Sequence, residues 1–436
     1  EQRLRAPVRM PPAKGMRQPV ASKPLLDCFW NLADVEPTAR VEAASQLLAL
    51  LAADPTAEGG CADAELSPEL AYALGRLIKG LASSRDCARQ GFALALAQLL
   101  RAFPAVTPAR VLDETDKELQ AGSKGPAEER EQAIGYFFAH AAIVRSGRLL
   151  PDAASTAAKG GAAKKAKRSA DSGVSGCPAD AARVLRGLAK AADRRWFLAE
   201  GAMLAASELV EGALIESLPD AERSMAAQAL LPELVTALGG RERNLPDCRP
   251  DQLLLALRAG KAFCDAGAGA LLCAALPGLG IDVRTGSLLS GSSGGTGGSG
   301  SLARTAPLLL EPLRSASCAH PRVHSVWEAV LDELLGPEGP AISNPGVEES
   351  GKKRKGAPVQ SAGLAAGCAG LAQLWRFVVD EGLVMAPSAE RKYLALRLLQ
   401  RALPRVCASA EAAALAAGAD AASAKAAAAA AAAPLL

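Results

Sequence analysis

Histidine is scarce in this chain, with three residues in 436. A Ser-His-Asp or Cys-His site therefore has only His140, His320 and His324 to form around, and none has a nucleophile elbow nearby. Aromatic residues make up 3% and β-branched residues are thin, so strand-forming sequence is missing. The ten cysteines include no C-x-x-C pair, zinc-knuckle cluster or disulfide framework. Scattered from Cys28 to Cys407, most among apolar residues, they read as small buried hydrophobes of a reduced cell interior. No run of about 18 apolar residues precedes the tail, so no membrane span is expected. The net charge of +3 is too small to imply by itself a nucleic-acid or membrane surface.

What is present favours helix. Half of the chain is hydrophobic, alanine and leucine supply most of that half, and both are strong helix formers. The fold class expected is all-α. In "SPELAYALGRLIKGLASS", Leu70, Leu74, Leu77, Ile78 and Leu81 form one helical stripe, with Ser67 as N-cap and Pro68 at the first helical position. The next stretch, "SSRDCARQGFALALAQLLRAFP", repeats the pattern with Phe92, Leu96, Leu99, Leu100 and Phe103 until Pro104 stops it. Two amphipathic helices joined by a short Ser-Ser turn make a helical hairpin. Further helices are predicted over 38–53, 108–121, 127–149, 180–191, 193–217, 220–238, 322–335, 362–384 and 388–403.

A lone hairpin cannot bury its apolar face, so a succession of them must stack, as HEAT and armadillo arrays do. No clean period is visible, which makes the expected solenoid irregular and leaves a compact multi-domain helical bundle as the alternative. The organisation read from composition is a basic arm over 1–23, helical repeats over 24–150, a basic linker over 151–178 and repeats over 179–284. A Gly/Ser linker over 285–302, a repeat over 303–336, a basic linker over 337–361, a repeat over 362–407 and an Ala-rich low-complexity tail over 408–436 complete it. The arm is Arg- and Pro-rich but lacks the amphipathic face of a transit peptide. The glycine-rich linker lacks the G-x-x-x-x-G-K-[ST] spacing and a lysine to reach a phosphate.

Two linkers carry short cationic runs, Lys164, Lys165, Lys167 and Arg168, then Lys352, Lys353, Arg354 and Lys355. Such runs on accessible loops suit import-receptor grooves or phosphates and are candidates for nuclear import. On the first hairpin, Arg76 and Lys79 share a polar face and Arg85 and Arg89 lie at i and i+4. They are candidates for nucleic-acid contact, against the simpler reading of a solvated helix face.

His320 and His324 in "HPRVHSVWEAVLDELL" have ligand-like spacing, with Glu328 one turn further. Pro321 disfavours helical geometry at His320, a third strong ligand is missing and there is no H-E-x-x-H, so a helix start with polar contacts is expected rather than a metal site. The acidic set Asp113, Glu114 and Asp116 is read as a solvated face in preference to a divalent-cation site. No catalytic residue, metal or cofactor is therefore expected.

Five blocks carry a resemblance. "LLDCFWNLADVEPTARVEAASQLL", "YALGRLIKGLASSRDCARQGFALALAQLLRAF", "YFFAHAAIVRSGRLL", "HPRVHSVWEAVLDELL" and "LWRFVVDEGLVMAPSAERKYLALRLLQRALPRV" resemble, in order and spacing, successive blocks of the DNA polymerase phi family over about residues 25–407. The family's members are longer, so the chain resembles an amino-terminal portion. The resemblance implies a nucleolar helical-repeat scaffold, not an enzyme, that supports ribosomal RNA gene transcription and pre-ribosome assembly. The implied partners are ribosome-assembly factors, pre-ribosomal RNA and rDNA-associated transcription factors, with no membrane and no small-molecule substrate. The carboxylate motifs of family B polymerases, D-x-x-S-L-Y-P and Y-G-D-T-D, do not occur. The alternatives are a DNA polymerase or polymerase accessory factor, and a transcriptional co-regulator that docks activator helices in an apolar groove.

Overall fold

Among the described residues, the alanine- and leucine-rich periodicity is realised as helix. The computed structural model describes residues 22–53, 66–119, 125–149, 177–215, 218–289, 302–316, 323–336, 368 and 370–436, and these contain helices and turns but no strand. The chain divides into two compact units, Glu1–Ala142 and Ile143–Leu436.

The first unit contains α1 (Lys23–Asn31), α2 (Pro37–Ala52), α3 (Pro68–Leu81), α4 (Asp86–Ala102) and α5 (Pro108–Leu119), and most of α6 (Pro126–Ser146). The expected capping devices are in place. Ser67 Oγ accepts from the Leu70 amide at 3.3 Å, and Thr107 Oγ1 accepts from the Arg110 amide at 3.3 Å. Both satisfy an amide that the helix start would otherwise leave orphaned. Phe103, before Pro104, turns to extended geometry and ends α4, as the proline ring requires. All ten stripe residues named for the first hairpin are buried.

Helix α4 packs on both α2 and α3, and α3 also meets α5. The close approach of α4 to the end of α1 depends on Gly91, where a Cβ would lie 1.9 Å from the Leu32 carbonyl oxygen. Arg40 fixes the loop between α1 and α2. Its guanidinium donates to the carbonyls of Asp34 (2.9 Å) and Val35 (2.7 Å) and to Gln90 Oε1 on α4 (3.1 Å).

In the second unit, α7 (Pro178–Arg194) packs on α8 (Trp196–Ala213) and α9 (Asp220–Ala237). Helix α10 (Pro250–Asp265) lies at the centre, against α8, the short α11 (Gly269–Ala275) and α13 (Ser325–Leu335). Helix α12 (Leu302–Ser315) meets a π-helical segment, Arg376–Val384, which in turn meets α14 (Ala389–Ala416). Helix α14 packs on α13 and on α15 (Ala421–Ala432).

Several boundaries differ from the predicted ones. The break expected near 192 falls at Arg195, whose extended backbone separates α7 from α8. The helix predicted over 388–403 starts on cue, with Ser388 Oγ accepting from the Arg391 amide at 3.4 Å, but runs through Pro404 to Ala416. Proline costs a helix about 3 kcal/mol, and the buried residues Arg405, Val406 and Ala410 beyond it hold the next turns in place. The end of the helix predicted over 362–384 is π-helical, with i to i+5 bonding. The Ala-rich stretch beyond 408 is helical too, and Ala424 and Ala428 of α15 are buried. Among the described residues, no helix is long and apolar enough to cross a membrane.

Candidate functional site

Helix α1 carries a regular apolar stripe, Leu25, Cys28, Phe29 and Leu32, which is buried. Trp30 falls off that stripe and is 77% exposed. On the same side, Leu26 is exposed as well, one helical turn before Trp30. The two form a small apolar ridge one helical turn long, which another molecule can cover.

Beside Trp30 a cleft of about 250 Å³ opens between α1, α3 and α4. Phe29 and Phe92 line it, stacked with centroids 6.4 Å apart and planes 15° from parallel. Tyr72 meets Phe29 edge-on from behind, at 6.3 Å and 74°. This is the quadrupole-favoured way for rings to pack, and it makes a rigid aromatic floor. Arg76 from α3 and Arg85 from the start of α4 stand at the rim, both exposed. Arg76 makes no hydrogen bond or ion pair with another described residue. Arg85 donates one Nη2 hydrogen bond to the Ala33 carbonyl at 2.9 Å. No carboxylate lines the cleft.

The four cations of the first hairpin are thus divided. Arg76 and Arg85 come together at one cleft. Lys79 pairs with Glu118 on α5 at 3.2 Å. Arg89 folds back on its own helix start, pairing with Asp86 and donating to the Ser83 carbonyl at 2.5 Å. Burial, then the nearby Arg130 charge, pulls the Arg89 guanidinium below its ordinary pKa.

The other sequence candidates are placed as follows. Lys164, Lys165, Lys167, Arg168, Lys352, Lys353, Arg354, Lys355 and His320 lie outside the described residues. His324 is the N-cap of α13, its Nδ1 accepting from the Val326 amide at 3.1 Å. Glu328 accepts from Arg401 and Arg405 on α14. His140 is buried, with Nδ1 2.8 Å from the Tyr136 carbonyl and its ring against the Tyr136 ring at 4.3 Å. Glu114 pairs with Lys117 one turn along α5 at 3.2 Å. Among the described residues, no group of three His, Cys, Asp or Glu side chains is placed to hold a metal ion.

Sequence reasoning found the two rim arginines but missed the cleft they serve. The available signal was Trp30, a large apolar residue out of phase with an otherwise complete stripe.

Comparison with known proteins adds identity to this geometry. The family model described as DNA polymerase phi matches residues 72–240 and 303–415, which is more than half of the chain. Mouse Myb-binding protein 1A is 33% identical over 131 residues, covering 30% of this chain and 9% of that protein. The rat protein of the same name is 29% identical over 157 residues, covering 34% and 11%. The rDNA transcriptional regulator pol5 of Schizosaccharomyces pombe is 34% identical over 131 residues, covering 30% and 12%. The chain thus spans about a tenth of the length of the curated relatives it matches. No solved structure matches. With its matched segments falling on the helices of both units, the chain belongs to the DNA polymerase phi family.

Proposed function

We propose that this chain is a non-enzymatic nuclear scaffold, concentrated in the nucleolus, that supports ribosome biogenesis and rDNA transcription by holding protein partners and pre-ribosomal RNA. The observation that carries this reading is the open aromatic cleft at Trp30, a surface suited to covering by a partner. The names of the relatives point the same way: one is an rDNA transcriptional regulator and others are Myb-binding. The contacts within the second unit, where α8 packs on α10, α10 on α13 and α13 on α14, support an irregular HEAT- or armadillo-like array as the scaffold's architecture.

Proximity labelling from the chain in cells tests this reading. Enrichment of ribosome-assembly factors and rDNA-bound proteins is expected. Recovery chiefly of promoter-bound activators instead would favour the co-regulator reading, which the Myb-binding name of the mammalian relatives supports. Metal-dependent primer extension by the purified chain, lost when Asp113 and Asp116 are replaced by alanine, would overturn the scaffold in favour of a polymerase.

A further inference from the structure

We propose that the cleft between α1, α3 and α4 docks a short amphipathic helix of a protein partner whose apolar anchor is flanked by carboxylates. The proposal rests on the scaffold reading above and supplies the chemistry of one partner.

Size narrows the occupant first. A cleft of about 250 Å³ lies below the ~300–1,000 Å³ typical of small-molecule and cofactor sites. It suits one or two inserted side chains instead. The floor is apolar, with Phe29 and Phe92 stacked beneath and Leu26 and Trp30 along one edge. Leu26 and Trp30 sit four residues apart on α1, so they present a ridge about one turn long against which a second helix can lie. The exposed indole gives a large contact area at low entropic cost, the property that makes tryptophan a frequent hot spot.

Charge then decides between partner classes. Arg76 and Arg85 at the rim face no carboxylate within the cleft. Three acids neighbour lining residues in the chain and none lines the cleft: Asp27 is exposed on α1, Asp34 Oδ1 accepts from the Glu36 amide at 2.8 Å, and Arg89 engages Asp86. The surface is therefore complementary to carboxylates around an apolar anchor. Nucleic acid fits less well. Phosphate-driven affinity needs a track of several cations, and Lys79 and Arg89, which would extend one, are held by Glu118 and Asp86.

The test uses the full chain and a fluorescently labelled helical peptide of about 15 residues. The peptide carries phenylalanine and leucine one turn apart, with glutamates on either side. Anisotropy titrations should show binding that weakens about tenfold in Trp30→Ala. Binding should also weaken in Arg76→Glu and be regained when that variant meets the same peptide with lysines replacing its glutamates. Both positions are exposed, so circular dichroism should be unchanged and the loss assignable to the surface. Absence of peptide binding, or binding indifferent to both substitutions, would overturn the proposal. So would tighter binding of a single-stranded RNA of matched length that the same substitutions abolish, since the site would then read nucleic acid. Proximity labelling of the unaltered chain tests the scaffold reading separately: a failed peptide with the expected enrichment would sink only this occupant of the cleft.

Discussion

Glu200 on α8 caps α13 through Ser325, 125 residues later in the chain: one carboxylate oxygen accepts from the Ser325 amide at 2.9 Å and from its hydroxyl at 2.7 Å. A helix start leaves several amides without partners, and a carboxylate there also meets the positive end of the helix dipole. Glu200 is buried, so its pairing fixes where α13 begins. Replacing Glu200 by alanine strands the half-buried Ser325 donors and should cost about 1–2 kcal/mol. Glutamine keeps an acceptor oxygen and should recover most of the loss. Urea denaturation of the two variants checks the order, and equal losses would show that the negative charge at the helix start, rather than the acceptor oxygen, carries the effect.

Arg405 separates burial from mere pairing. Its guanidinium, with 6% of the side chain exposed, donates to Asp332 Oδ1 (2.8 Å), to Glu328 Oε2 (3.3 Å) and to the Gly336 carbonyl (2.6 Å), tying α14 to the end of α13. Arg401 reaches the same Glu328 from a position 43% exposed. Arg405→Ala should cost about 2–3 kcal/mol, less than the ~3–5 of a fully buried pair, because Glu328 and Asp332 stay 30% and 35% exposed and can be hydrated. Arg401→Ala should cost less than about 1 kcal/mol. Denaturant midpoints for the two variants, compared in low and high salt, distinguish them. Only the Arg401 effect should fade with screening.

These two contacts show what was legible in the sequence and what was not. Periodicity and capping residues placed α3, α4 and α5 closely, because an amphipathic stripe and a Ser-Pro or Thr-Pro start are local signals. Helix α10 blurs its stripe: Leu253, Leu254, Leu255, Ala256 and Leu257 are all buried in succession, and only Arg258, Lys261 and Asp265 in its second half mark a polar face. The stretch around His324 read as a helix start at Pro321, and the described helix begins at Ser325 with His324 as its cap. That Glu328 and Asp332 exist to hold Arg401 and Arg405 could not be read, because the pairing spans about 70 residues and depends on which helices meet. The cleft was hidden for the same reason, since Trp30, Arg76 and Arg85 come from three helices.

Glu333 offers a pH-dependent test. Burial pushes its carboxyl above the usual carboxylate range, only partly offset by hydrogen bonds from Ser287 and from the Leu289 and Leu288 amides and by the Lys261 charge. The folded state therefore holds this proton more tightly than the unfolded chain. Glu333's contribution to stability is greatest at acid pH and falls as pH rises from about 4, the unfolded value, through the raised folded value, then stays level. Glu333→Gln removes the charged form. The variant should melt higher than the parent at neutral pH and show no advantage near pH 4. A constant difference across that range would place the pKa elsewhere.

Gly91 links the fold to the proposed cleft. A Cβ there would meet the Leu32 carbonyl oxygen at 1.9 Å and its carbon at 2.9 Å, and both are backbone atoms that no rotamer change can move aside. Alanine must therefore push the end of α1 away from α4. The same displacement pulls Phe29 off Phe92, the next residue after Gly91, and widens the cleft beneath Trp30. Gly91→Ala should lose about 1–3 kcal/mol, the usual cost of overpacking, and should also weaken the acidic peptide even under conditions where circular dichroism shows the helices intact. Gly75→Ala is the control, because its Cβ would meet only the flexible end of Glu114, at 3.9 Å. It should leave both stability and peptide binding nearly unchanged. If Gly91→Ala destabilised the chain but left peptide affinity untouched, the cleft would not be the place where the peptide sits.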